Sequence, residues 1–199
     1  MSTSIRLLAS LAFLAASGTA FAQDAEEAPA GDAPATELSM GEQAEAASNE
    51  PYVKEEFGDW DLRCVRAEAG GEDPCQLYQL LRDEQGNSVA EISLFRLEGN
   101  NRAVAGATVV VPLETLLTAN ARIAVDGNQT KTYPFSFCNQ IGCYARIGLT
   151  PEDIAIYKAG NKATLTIVPF SAPDQQVALD ISLSGFTAGY DKVSRARID

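Results

Sequence analysis

Cys64, Cys75, Cys138 and Cys143 have the strongest claim to chemistry in this 199-residue chain. A cysteine thiolate can attack a substrate, exchange disulfides or bind zinc, and each role needs a particular setting. Neither close pair has the C-x-x-C spacing of a redox motif, and no lysine or histidine lies near Cys138 or Cys143 to lower a thiol pKa. The spacing of a four-thiolate zinc site, two to four residues between ligands, occurs only once. Even in number and placed as two close pairs, the cysteines read as two structural disulfides in an oxidising compartment. Local geometry favours Cys64–Cys75 and Cys138–Cys143 among the three possible pairings. The chain holds no histidine, which removes the commonest catalytic base and metal ligand. No metal or other cofactor is expected.

The remaining candidates are carboxylates and serines. Asp59, Asp61 and Arg63 alternate with Trp60, Leu62 and Cys64, so the two acids are expected on one face of a first strand, about 6.5–7 Å apart at Cα. A carboxylate pair near that separation can hydrolyse glycosides. The plainer reading is a solvated face balanced by Arg63, with Trp60 buried opposite. Serine lacks a histidine partner and no G-x-S-x-G elbow occurs, which leaves only Ser–Lys dyads. Gly-rich phosphate loops are absent too, and the Asn128-Gln129-Thr130 glycosylation sequon reads as coincidence. Tyr78, Tyr133, Phe135, Phe137 and Tyr144 fall in strand-like runs and read mainly as core. Where they stand exposed beside Arg63 or Arg146, they would form a protein- or sugar-binding patch. Asp59, Asp61, Arg63, Tyr144 and Arg146 are therefore the candidate interaction residues.

Residues 1–22 have the parts of a secretory signal peptide: Arg6, an apolar run from Leu7 to Ala16, and the small-x-small site Ala20-Phe21-Ala22. Cleavage after Ala22 is expected. The apolar run is too short to span a bilayer, which takes roughly 20 residues, and no later segment is long enough. There is no twin-arginine pair, and no cysteine follows the cleavage site, so general export without a lipid anchor is the expectation. Residues 23–50 carry eight acids and no base or aromatic residue, and are expected to form a disordered acidic leader. Much of the net charge of −12 lies there; residues 51–199 hold 19 acids against 14 bases. No basic stripe follows a phosphate backbone, so nucleic acid is a poor partner. Residues 51–199 suit one domain with a sizeable core.

Short apolar runs separated by turn residues predict a mainly β domain, an antiparallel β-sandwich or flattened barrel. The expected strands are 59–65, 75–82, 88–97, 103–111, 122–125, 131–138, 143–149, 163–169 and 176–183. Gln85-Gly86-Asn87, Gly99-Asn100-Asn101 and Asp126-Gly127-Asn128 supply hairpin chemistry. Thr150-Pro151-Glu152-Asp153 predicts a helix ending near Ala159, a second helix is expected over 188–196, and residues 113–117 suit a single turn. One register problem stands out. Pairing Cys138 with Cys143 turns Phe135 and Phe137 away from the face of Ala145 and Ile147, so either both faces are covered or a bulge shifts one strand.

Phe57-Gly58-Asp59-Trp60-Asp61-Leu62-Arg63-Cys64 followed by Cys75-Gln76 resembles the opening of the invasion-associated locus B family. Val125-Asp126-Gly127, Pro134-Phe135 with Cys138, Gly142-Cys143 and Ser184-Gly185-Phe186 continue the resemblance in the same order, over nearly all of residues 57–193. Members are exported proteins of Gram-negative bacteria, with a link to host-cell invasion. The resemblance implies a β-rich periplasmic or envelope-associated domain and brings no established catalytic residues. Residues and resemblance together predict a periplasmic or secreted, non-enzymatic protein that binds an envelope or extracellular partner. A glycan hydrolase using Asp59 and Asp61, and a chaperone-like periplasmic factor, are the alternatives.

Overall fold

The computed structural model describes residues 50–67, 71–99 and 102–197. The export segment, nearly all of the acidic leader, and Asn100-Asn101 of one expected turn lie outside them. The described residues form twelve strands: β1 (Tyr52–Phe57), β2 (Trp60–Cys64), β3 (Cys75–Arg82), β4 (Ser88–Leu97), β5 (Ala105–Val111), β6 (Ala121–Val125), β7 (Asn128–Tyr133), β8 (Phe135–Cys138), β9 (Cys143–Leu149), β10 (Lys162–Ile167), β11 (Val177–Ser182) and β12 (Arg195–Ala196). Two α-helices join them, α1 (Pro151–Ala159) and α2 (Phe186–Tyr190). None of the described helices is long and apolar enough to cross a membrane.

Two sheets share one apolar core. The larger runs β1-β2-β3-β4-β5-β9-β8, with β12 laid parallel to the end of β4; the smaller runs β11-β10-β6-β7. Apart from β12, every paired strand is antiparallel. Period-two alternation explains which face is buried. In β2 the side chains of Trp60, Leu62 and Cys64 point inward; in β9 those of Cys143, Ala145, Ile147 and Leu149 do the same. From the smaller sheet, Ile123, Leu165, Leu179 and Ile181 meet them.

Where the structure departs from the expected elements, the reasons are local. Residues 131–138 are not one strand. Pro134 has no N–H for a ladder, and the chain changes sheets there, from β7 in the smaller to β8 in the larger. The register problem is solved by the bulge: Phe135 pairs with Ala145 while Phe137 pairs with Tyr144, so the extra residue, Ser136, lets Phe135 face the core and Phe137 face out. The second helix ends at Tyr190, and the chain then reaches β12. β1 was not foreseen. Its sequence, YVKEEF, is charged and mostly exposed, as an edge strand can be.

Other expectations hold closely. Both disulfides pair as expected, Cys64–Cys75 across β2 and β3 and Cys138–Cys143 across β8 and β9. Val125 pairs with Asn128 around a two-residue Asp126-Gly127 turn in which both residues have positive φ. At the start of α1, the Thr150 hydroxyl accepts a bond from the Asp153 N–H and the Asp153 carboxylate accepts one from the Thr150 N–H, a complete capping box.

Candidate interaction surface

The residues of the family-like motifs meet inside the molecule. The Trp60 ring lies edge-on to Phe186 at 5.6 Å, and its Nε1 donates to the Ser182 carbonyl at 2.8 Å. The β1–β2 turn at Gly58 packs against Ser184-Gly185 so closely that a methyl group on Gly185 would lie 2.0 Å from the Phe57 carbonyl oxygen. Gln79, buried on the inward side of β3, donates to the carbonyls of Asp59 and Ser182 and accepts from the Ser182 N–H. Sequence reading missed Gln79, although a polar residue in phase with the inward Cys75, Leu77 and Leu81 was a signal that it must find partners inside.

The expected common face of Asp59 and Asp61 does not form. Asp59 lies in the turn before β2, and its carboxylate accepts a 2.6 Å bond from the Ser182 hydroxyl of the other sheet. Asp61 points outward from β2 and is held by Arg63 Nε and Nη2 at 3.2 and 3.0 Å. Both carboxylates are thus engaged in contacts that explain their presence. Among the described residues, no group of three or more Cys, Asp or Glu side chains gathers as a metal site.

The other four candidates share the outward face of the larger sheet. Register places Asp61 beside Tyr78, Tyr78 beside Ser93, Ser93 beside Thr108 and Thr108 beside Arg146, a single rung across five strands. At about 4.8 Å per strand, Asp61 and Arg146 stand roughly 19 Å apart. The Arg63 guanidinium lies over the Tyr78 ring, 3.3 Å from its centroid. The Tyr78 hydroxyl donates to Glu91 at 2.9 Å. Burial, the bond to Glu91 and the Glu91 charge raise the Tyr78 pKa, against the opposing charge of Arg63, so the hydroxyl stays protonated and donating. At the far edge Tyr144 stacks on Phe137, with centroids 4.6 Å apart and ring planes 11° from parallel. Arg146 is exposed and forms no ion pair among the described residues. Of the aromatic residues first read as core, Tyr133 and Phe135 pack on it, whereas Tyr78, Tyr144 and Phe137 decorate this outward face.

Comparison with known proteins agrees with the fold and the motifs. Invasion protein B homologues of Brucella abortus, from strain 2308 and from biovar 1 strain 9-941, are each 29% identical to this chain over 145 residues, covering 71% of it and 79% of their own length. The crystal structure of invasion associated protein b from Bartonella henselae superposes with a TM-score of 0.58 at 23% identity, over 69% of this chain and 92% of that one. Residues 60–194, which carry the Trp60, cysteine and Ser184-Gly185-Phe186 features, match the family described as invasion associated locus B (IalB) protein, and the chain belongs to that family.

Proposed function

We propose that this chain is an exported, non-enzymatic interaction protein that binds an envelope or extracellular protein through the outward face of its larger sheet. The observation that carries the reading is the make-up of that face: Tyr78 under Arg63, the Phe137–Tyr144 stack and Arg146, which forms no ion pair among the described residues, all standing on an antiparallel ladder. Tyrosine and arginine supply large contact areas and directed hydrogen bonds, and both are enriched where proteins meet. A sheet whose strands are fixed on the inner side by the core loses little entropy when its outer side is covered. The Brucella and Bartonella relatives are named for invasion, and the reading extends that association to this chain as contact with a host-side protein.

In this reading the signal peptide is removed after Ala22 and the domain works in the periplasm or outside the cell, where its two disulfides are stable. The acidic leader serves as a spacer. The test is affinity capture from native envelope and host-surface extracts, with residues 23–199, residues 51–199, and a Tyr144→Ser/Arg146→Glu variant of the longer chain as parallel baits. A partner retained by both wild-type baits and bound about tenfold more weakly by the variant supports the sheet face. Retention that depends on the leader moves the site to the acidic arm. Equal retention by the variant removes the sheet face from the proposal.

A further inference from the structure

On the opposite side of the β8–β9 hairpin from the Phe137–Tyr144 stack, the structure builds a second, separate surface. A cleft of about 530 Å3 opens between the β5–β6 connection and the start of the β10–β11 connection, with the Cys138–Cys143 bridge closing one side. Its volume is within the roughly 300–1,000 Å3 of small binding sites. Among the described residues seven large apolar side chains stand exposed, and three of them line this one cleft: Leu113 at 55%, Leu117 at 41% and Phe170 at 69%. Exposed apolar side chains gathered around one cleft, rather than scattered singly, are the pattern of a binding site.

These side chains stand on fixed backbone. The two connections are stitched together by Leu116 N–H to the Val168 carbonyl and Phe170 N–H to the Glu114 carbonyl, each 2.7 Å. Thr115, buried beneath them, returns its hydroxyl to the Pro112 carbonyl at 2.7 Å. The third wall is equally constrained. Gly142 packs so tightly on the end of β5 that a methyl group there would lie 2.4 Å from the Val111 carbonyl oxygen. The backbone that carries these side chains is therefore ordered in advance, and an occupant has only their rotamers left to fix.

Charge decides what kind of occupant fits. Among the described residues, Glu114 is the single charged one in the lining, its carboxylate forms no ion pair, and no lysine or arginine lines the cleft. Residues 51–199, which carry the cleft, are themselves mildly acidic, with 19 acids against 14 bases. We propose that this cleft receives an apolar segment of another protein whose large side chains are flanked by lysine or arginine, the side chains seating between Leu113, Leu117 and Phe170 and a flanking cation meeting Glu114. This surface is distinct from the sheet face, so either one can fail without the other.

The test uses the chain without its export segment and two fluorescein-labelled synthetic peptides of alternating leucine and serine, one flanked by lysines and the other by glutamates. Fluorescence anisotropy should show the lysine-flanked peptide binding about tenfold or more tightly, with Glu114→Lys reversing that preference. Leu113→Ser/Phe170→Ser should lose binding while keeping the melting temperature, because both side chains are exposed. Arg146→Glu, on the other surface, should leave peptide binding unchanged. Equal binding of both peptides, or unchanged binding by the serine variant, overturns the proposal. So does partition into phosphatidylcholine vesicles that Phe170→Ser abolishes while neither peptide binds, which would assign the cleft to lipid. Self-association abolished by the same variant, again without peptide binding, would assign it to a second copy of this chain.

Discussion

At Gly185 φ is 81°, a left-handed conformation that costs an L side chain about 1–2 kcal/mol, and the Phe57 carbonyl blocks the space a side chain would need. Gly86 has a similar φ of 86° but nothing within 4 Å of the same position. The pair separates backbone strain from close approach. Gly86→Ala should cost about 1 kcal/mol, and Gly185→Ala at least about 2 kcal/mol, as read from urea unfolding midpoints; equal costs would show that the Phe57 contact is unimportant. Sequence could mark Gly185 as part of a motif but could not say what it touches, because its partner lies more than a hundred residues away. Asp153 is a second case. Desolvation works to raise its pKa, but bonds from Lys131 and from the Thr150 N–H and hydroxyl outweigh it, and the carboxyl is held below the usual range. A depressed native pKa contributes stability above the unfolded value of about 3.9, and that contribution is lost as pH falls through the native value. Asp153→Asn should therefore melt at a lower temperature than the wild type at pH 7. Calorimetry should find the gap closing below about pH 4; a constant gap would mean that the charge is not what stabilises α1. The capping half of this arrangement was legible in Thr150-Pro151-Glu152-Asp153, and the Lys131 half was not.

Elements whose residues alternate cleanly were read well from sequence: β3, β9 and β11 fall within two residues of their expected ends. Three others depended on information that single strands do not carry. β1 is an edge strand with little inward face, so no alternation betrays it. The split of β7 from β8 follows from which sheet each joins, a choice made by partners elsewhere in the chain, although Pro134 was a visible warning. The β8 bulge was inferable only as one of two options until the register of Phe137 with Tyr144 resolved it. The two disulfides differ at this scale. Cys64 and Cys75 are both buried between β2 and β3, whereas Cys138 is exposed on the edge strand β8. A reductant must reach a sulfur atom to attack it, so the Cys138–Cys143 bridge should open first. Stepwise reduction followed by alkylation and mass spectrometry should label Cys138 and Cys143 before Cys64 and Cys75. Simultaneous labelling would mean that opening requires global unfolding. In the loop-entropy account these short rings stabilise by about 2 kcal/mol for the smaller and about 3 kcal/mol for the larger, so loss of both should lower the melting temperature markedly.

The molecule as a whole depends on how its two sheets are joined. Covalent continuity joins them at Pro134, apolar packing joins them across the core, and a polar clamp joins them at Ser182, where Gln79 and Trp60 of the larger sheet bond the backbone of β11. The clamp is costly to break because Trp60 and Gln79 are buried and Ser182 is half-buried: removing the Gln79 oxygen takes away the partner of a backbone donor. Gln79→Leu keeps the side chain's approximate volume but takes away the acceptor of the Ser182 N–H. The variant should lose about 1–3 kcal/mol, and hydrogen exchange at the Ser182 amide should accelerate more than at β9 amides such as Ala145. Trp60→Phe should be milder at that amide, since the Ser182 carbonyl retains Gln79 as donor. If Gln79→Leu left Ser182 exchange unchanged, the bonds of Gln79 would contribute nothing to holding the sheets together. If instead all amides accelerated equally, the clamp would break only in global unfolding, and the two sheets would behave as a single cooperative unit.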